Sequence, residues 1–187
     1  MAALPALHER LRFDTAEGQV LDGTRRYLLL RADVLRGLFD ELPPAARGEA
    51  LRAFGRSVAT RGFDSLRAYA AEPGVDDDPL QRVVEAAAAS LGWGRWQLTR
   101  EGASLALDVR NSPFAATAVP GSGPACHAIA GMLQGLAGIV LGGPASARET
   151  SCACATGDGR CRFSARIDSS SPAAVPVSAH PQETHHP

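Results

Sequence analysis

Two apolar periods divide the chain, a helical one before Gly92 and a strand-like one after it. Near the start, Gln19–Leu21 and Arg26–Leu30 read as short strands about the turn Asp22-Gly23. Asp33 is placed to cap a helix carrying Val34, Leu35, Leu38 and Phe39, which Pro43 and Pro44 stop. A second helix is expected over Ala45–Ala71, with Ala46, Ala50, Ala53, Phe54 and Val58 on its apolar side. Its Gly55 and Gly62 predict a kink or a close helix contact. Residues 72–79 read as a loop. Asp78 caps the next helix ahead of Pro79, and that helix carries Val83, Val84, Ala87, Ala88 and Leu91 to a stop at Gly92.

Beyond Gly92 the period becomes two. Trp96–Arg100 and Ser104–Arg110 flank Glu101-Gly102 as a β-hairpin. A helix from Gly123 or Pro124 to about Leu141 follows, with Cys126, Ile129, Ala130, Leu133, Ala137 and Val140 on one stripe. Gly131, Gly135 and Gly138 on that helix permit close packing, within the chain or across a dimer. A last hairpin joins Ala147–Thr156 to Arg160–Ile167 about Gly157-Asp158-Gly159. The fold class is α+β, with helices packed on a small antiparallel sheet. One domain is expected over residues 1–167. Residues 168–187, rich in Ser, Pro, Ala and His and carrying His180, His185 and His186, are expected to form a disordered tail.

Composition narrows the function. A chain of 187 residues, 45% hydrophobic and 21% charged, can build one real core. A net charge of -1 argues against direct nucleic-acid binding. All 19 basic residues are Arg, which reads as coding bias and not as a function. The longest apolar stretch, about Ala125 to Leu141, holds His127 and Gln134 and is too short to span a bilayer. The first residues lack the basic start and apolar run of a secretory leader, so a soluble cytoplasmic protein is expected. No nucleophile elbow, P-loop or dinucleotide fingerprint precedes a suitable helix. Asp76, Asp77 and Asp78 lack the spaced ligands of a calcium loop and read as a solvated cap.

The chemistry concentrates in Cys126, Glu149, Cys152, Cys154 and Cys161. Soft thiolates suit Zn²⁺, and a carboxylate can complete a tetrahedral set. Buried thiols without metal, or a Cys152–Cys154 redox pair, are the alternatives. With a two-residue turn at Asp158-Gly159, Thr156 faces Cys161, and Cys152, Cys154, Cys161 and Phe163 share one side of the hairpin. A three-residue turn puts Cys161 on the other side. Glu149 and Cys152 are three apart, so both reach one ion only across a bulge.

Three segments carry a resemblance: Asn111 to Ala115, Pro124 to Gly135, and Glu149 to Phe163 with Gly157-Asp158-Gly159 inside it. They resemble the 4-vinyl reductase domain family. The N-terminal half, with Arg26 to Leu30, Leu38 to Leu42 and Ala59 to Asp64, is similar to the sensory module of bacterial phenol- and xylene-responsive activators. The resemblance covers about residues 12–167. It implies a ligand-binding fold shared with a vesicle-tethering family, and a structural Zn²⁺ held by Cys126, Glu149, Cys152 and Cys161. One extra residue between Cys152 and Cys161 makes Cys154 the alternate ligand. Pro113 stands where the aromatic sensors are aligned with a Trp, and Phe114 follows it, which points to a more apolar ligand than phenol.

The reading is therefore a zinc-stabilised domain that binds a small hydrophobic or aromatic molecule, works as a homodimer and does no chemistry itself. Phe114, Trp93 and Trp96 are its candidate pocket residues, although the two tryptophans also suit core anchors under a turn. With no ATPase or helix-turn-helix segment in the 187 residues, it is expected to signal through a separate signalling or transcription partner, or to deliver its ligand. The alternative is a 4-vinyl reductase acting on a bacteriochlorophyll precursor, or its accessory carrier. The Ile-Gly-Pro-Asn opening of that pigment branch is absent.

Overall fold

The computed structural model describes residues 7–70 and 77–168. The expected tail with its three histidines, and most of the 72–79 loop, lie outside them. A short helix α1 (Leu7–Arg10) leads into a three-stranded meander, β1 (Arg12–Asp14), β2 (Gln19–Asp22) and β3 (Arg25–Tyr27). β1 was not expected. β3 is also shorter than the apolar run suggests, because Leu28, Leu29 and Leu30 leave the sheet and lie exposed.

Helix α2 (Ala32–Asp40) follows. Its N-cap position belongs to Arg31, and the expected capping residue, Asp33, sits within the first turn. Its carboxylate accepts from the Val34 N–H and pairs with Arg31. Helix α3 (Pro44–Ala70) starts on a proline, which suits the first turn because its missing N–H would have no helical partner there. Helix α4 (Asp77–Ser90) begins one residue before Asp78, so that aspartate is inside the helix and not its cap.

The second sheet carries the core. Strands β4 (Arg95–Glu101), β5 (Ser104–Arg110), β6 (Ala145–Ser151) and β7 (Arg160–Ile167) are all antiparallel, in the order β4-β5-β7-β6. Alternate residues line one face in rows. Trp96 pairs with Val109 and Val109 with Cys161, while Leu98 pairs with Leu107 and Leu107 with Phe163. All six are buried. Each large apolar side chain so covered contributes about 1.5–3 kcal/mol.

Helix α6 (His127–Val140) covers this face with Ile129, Leu133, Leu136 and Ala137, each 0% exposed. It starts three or four residues later than the apolar pattern suggests. The preceding segment instead holds a short helix α5 (Pro113–Ala116), capped by the Ser112 hydroxyl, and a loop. Helix α3 lies against α6 at backbone distance. A Cβ added at Gly131 would stand 2.1 Å from the Gly55 carbonyl oxygen, and one at Gly55 would stand 2.6 Å from that of His127. Gly55 therefore serves a close helix contact, and the α6 glycines 131 and 135 face α3 of the same chain.

Candidate functional site

The register of β6 on β7 builds the first site. Glu149 is the cross-strand partner of Phe163, so it shares the inner face with Phe163 and Cys161. Between Glu149 and Ser151 the register shifts, and this bulge turns the following residue, Cys152, inward despite the odd spacing. The strand then stops. Ala153–Thr156 form one helical turn, α7, closed by Gly157 in the left-handed region (φ 72°), where a side chain would be strained. The expected strand pairing of Thr156 with Cys161 is thus replaced by a helical knuckle. The sequence Ala-Cys-Ala-Thr favours that turn as readily as a strand, and Gly157 stops it. Asp158 fixes the return, since its carboxylate accepts from the Arg160 N–H and the Thr156 hydroxyl.

Cys126 arrives from the other side, at the N-cap position of α6. One atom each from Cys126, Glu149, Cys152 and Cys161 can be chosen so that all four lie within 4.8 Å of one another. The Cys126 and Cys161 sulfurs are 3.7 Å apart. Thiolates bound at about 2.3 Å in a tetrahedron stand about 3.8 Å apart, so this spacing suits a zinc-sized ion. Glu149 Oε2 accepts the Cys126 backbone N–H at 3.0 Å, while its Oε1 is buried with no hydrogen-bond partner among the described residues. A buried carboxylate oxygen left in this state costs free energy unless a cation meets it.

Neighbours favour sulfur as an acceptor. The Ala153 N–H donates to the Cys161 sulfur at 3.3 Å, and Ser112 Oγ lies 3.2 Å from that of Cys126. Ser112, buried, was missed in the sequence, although Ser before Pro is a readable helix start. Hydrogen bonds from Cys126 and Cys161 hold the Cys152 thiol far below its ordinary range, and the interaction with Cys152 pushes Cys126 up. Burial raises Glu149 to about 7. Without a cation, then, the cluster favours one thiolate and resists further negative charge; a dication would relieve that repulsion. The donor set fits a metal ion.

Cys154 stands apart from the four. Its sulfur is 3.1 Å from that of Cys152 and 3.1 Å from the Gly123 carbonyl, to which it donates, and burial pushes its thiol up to about 11. His127 is half-buried beside Cys126, and burial lowers its pKa.

A second feature is a cavity of about 340 Å³ among α3, α4, β3 and the start of β4. Leu66, Val84, Ala88 and Trp96 are buried in its wall, and Trp93 and Met132 also line it. Both tryptophans named from sequence are therefore cavity residues, and the Trp96 indole N–H is satisfied by the Trp93 carbonyl at 3.1 Å. Phe114 lies outside this lining. It packs edge-on to Trp93 with ring centroids 5.4 Å apart, and lines a much smaller crevice with Phe39 and Phe54.

Residues 105–167 match the family model of the 4-vinyl reductase (4VR) domain. The strands, α6 and the Cys/Glu cluster all fall within or at the edge of that match. The chain's fold is that of the phenol-responsive sensory domain of the transcription activator PoxR, solved with phenol. That structure has 22% sequence identity, a TM-score of 0.72 and 86% coverage of each chain. A trafficking protein particle complex subunit 3 from Naegleria fowleri, covalently bound to palmitic acid, aligns at 13% identity over 72% of this chain and 88% of its own, with a TM-score of 0.48. A vinyl-4-reductase family protein from Methanocaldococcus jannaschii aligns at 15% identity over 73% and 91%, with a TM-score of 0.41. No curated protein matches the chain. Among the described residues no helix is long and apolar enough to cross a membrane.

Proposed function

We propose that residues 1–167 form a sensor domain that binds a small hydrophobic or aromatic molecule and is held together by a structural Zn²⁺. The ligands of the ion are Cys126, Glu149, Cys152 and Cys161. The observation that carries this reading is the 340 Å³ apolar cavity beside a cluster of three sulfurs and a carboxylate, in a fold like that of a phenol-responsive sensory domain. Four protein ligands leave no position open for water, so the metal clamps α6 to β6, α7 and β7 and activates nothing.

The cavity is at the small end of ligand sites, which run from about 300 to 1,000 Å³. That size suits a single ring or a short chain better than a tetrapyrrole macrocycle, so the reductase reading has no support from the pocket. A cytoplasmic homodimer is the assembly this reading adopts. The exposed Leu28, Leu29, Leu30, Val34 and Leu38 offer it an apolar face, and a separate signalling protein is its downstream partner.

The chain's two tryptophans both line the cavity, so intrinsic fluorescence reports on its occupancy. Titration with toluene should shift that emission and saturate. An emission unchanged at any toluene concentration would refute the pocket as a binding site.

A further inference from the structure

The cavity's rim differs in chemistry from its floor. The buried part of the lining is apolar, whereas Arg25 and Arg26 of β3 and Arg61 of α3 line it as exposed residues. No Asp or Glu is among the lining residues. Elsewhere the arginines of this chain are largely met by carboxylates, such as Arg36 by Asp40, Arg52 and Arg56 by Glu49, and Arg162 by Asp158. The three rim arginines have no ion pair among the described residues. Arg26 reaches only the Gly18 carbonyl, at 3.5 Å. The acid nearest in register, Asp22 opposite Arg25, is already held by Arg10 at 2.8 Å. Ser57 and Ser65, on the same side of α3 as Arg61, add hydroxyl groups to the lining.

Three unneutralised guanidinium groups around an apolar hole form a field that attracts negative charge and a fork geometry that binds carboxylate. Resting on the pocket reading above, we infer that the cavity selects an amphiphile: an apolar body that enters among the α3 and α4 side chains, and an anionic head, a carboxylate, held at the rim by Arg25, Arg26 and Arg61. A hydrocarbon or a neutral alcohol fills the same space without using the rim.

Matched probes separate head from body. Octanoate and 1-octanol share the chain and differ in charge at pH 7. By tryptophan fluorescence, octanoate should bind about tenfold more tightly than 1-octanol, the ratio expected of one charge-assisted contact. That advantage should collapse in 1 M salt, where exposed charges are screened beyond about 3 Å. It should also collapse in Arg61→Met and in the double variant Arg25→Met/Arg26→Met. Methionine keeps an apolar stem over the wall, so 1-octanol should bind these variants unchanged, and melting temperatures should match the parent chain. Equal or tighter binding of 1-octanol overturns the anion selectivity and leaves the apolar pocket standing. An octanoate advantage that survives both salt and the Met variants overturns the assignment to the rim. No response to either probe overturns the inference together with the pocket reading.

Discussion

Glu149 holds Cys126 in place: its Oε2 takes the Cys126 backbone N–H at 3.0 Å, across 23 residues of chain and between two different elements. The same carboxylate leaves Oε1 buried and unpartnered among the described residues. One oxygen orients a neighbouring ligand while the other awaits a cation. Glu149→Gln keeps an acceptor for the N–H but loses the charge. Zinc affinity, measured by competition with a chromophoric chelator, should fall by more than the about 10–100-fold typical of an outer-shell partner.

The two cysteines of the knuckle should behave differently. Cys152 belongs to the four-residue cluster and Cys154 does not, although their sulfurs are 3.1 Å apart. Cys152→Ser should release the metal, and Cys154→Ser should retain a full equivalent. Metal analysis of the two purified variants checks this; a reversed pattern would make Cys154 the ligand.

The contact between α3 and α6 leaves no room for a methyl group at Gly131. The nearest atom to an added Cβ is a backbone oxygen at 2.1 Å, which no rotamer change can move. Gly131→Ala should destabilise the chain by at least about 1–3 kcal/mol, the ordinary cost of overpacking. For a chain of this size that lowers Tm by roughly 2–12 °C. Gly18→Ala, at an open turn, tests backbone strain alone and should cost less.

Arg36, buried on α2, puts its Nε 3.0 Å from both Asp40 oxygens, and this hydrogen bonding holds the Asp40 carboxyl below its usual range; Arg47 adds a weaker attraction. A carboxyl depressed in the native state stabilises at pH above its ordinary value near 3.8. The gain is lost as pH falls through the native value. Asp40 is over a third exposed to solvent as a side chain, so the pair is worth no more than about 1 kcal/mol. Asp40→Asn should lower Tm by a few degrees at pH 7, and the difference should vanish below pH 3 in a melting series.

The sheet was legible because its alternation is clean. Leu105, Leu107 and Val109 face Cys161, Phe163 and Ala165 with no polar interruption, and the bulge needed between Glu149 and Cys152 lies where spacing requires it. The four clustered residues could be named because thiols and a carboxylate are rare enough to stand out. The helical knuckle at Ala153–Thr156 was not legible, since four residues are too few to distinguish the two periods and Gly157 suits either ending. The cavity was harder still. Its wall comes from several elements, so Met132 and Val84 carry no local mark of facing a hole. The rim arginines were hidden by composition: among 19 arginines, nothing in the sequence separates Arg61 from those that merely meet a neighbouring acid.

The account stands most directly on the metal. Protein purified without added zinc should contain close to one zinc per chain by mass spectrometry, and Cys161→Ser should contain none. Chelation should lower Tm on the order of 10 °C, since the ion's loss leaves buried charge unpaired at about 3–5 kcal/mol. Metal-free protein that melts at the same temperature with and without zinc would contradict it.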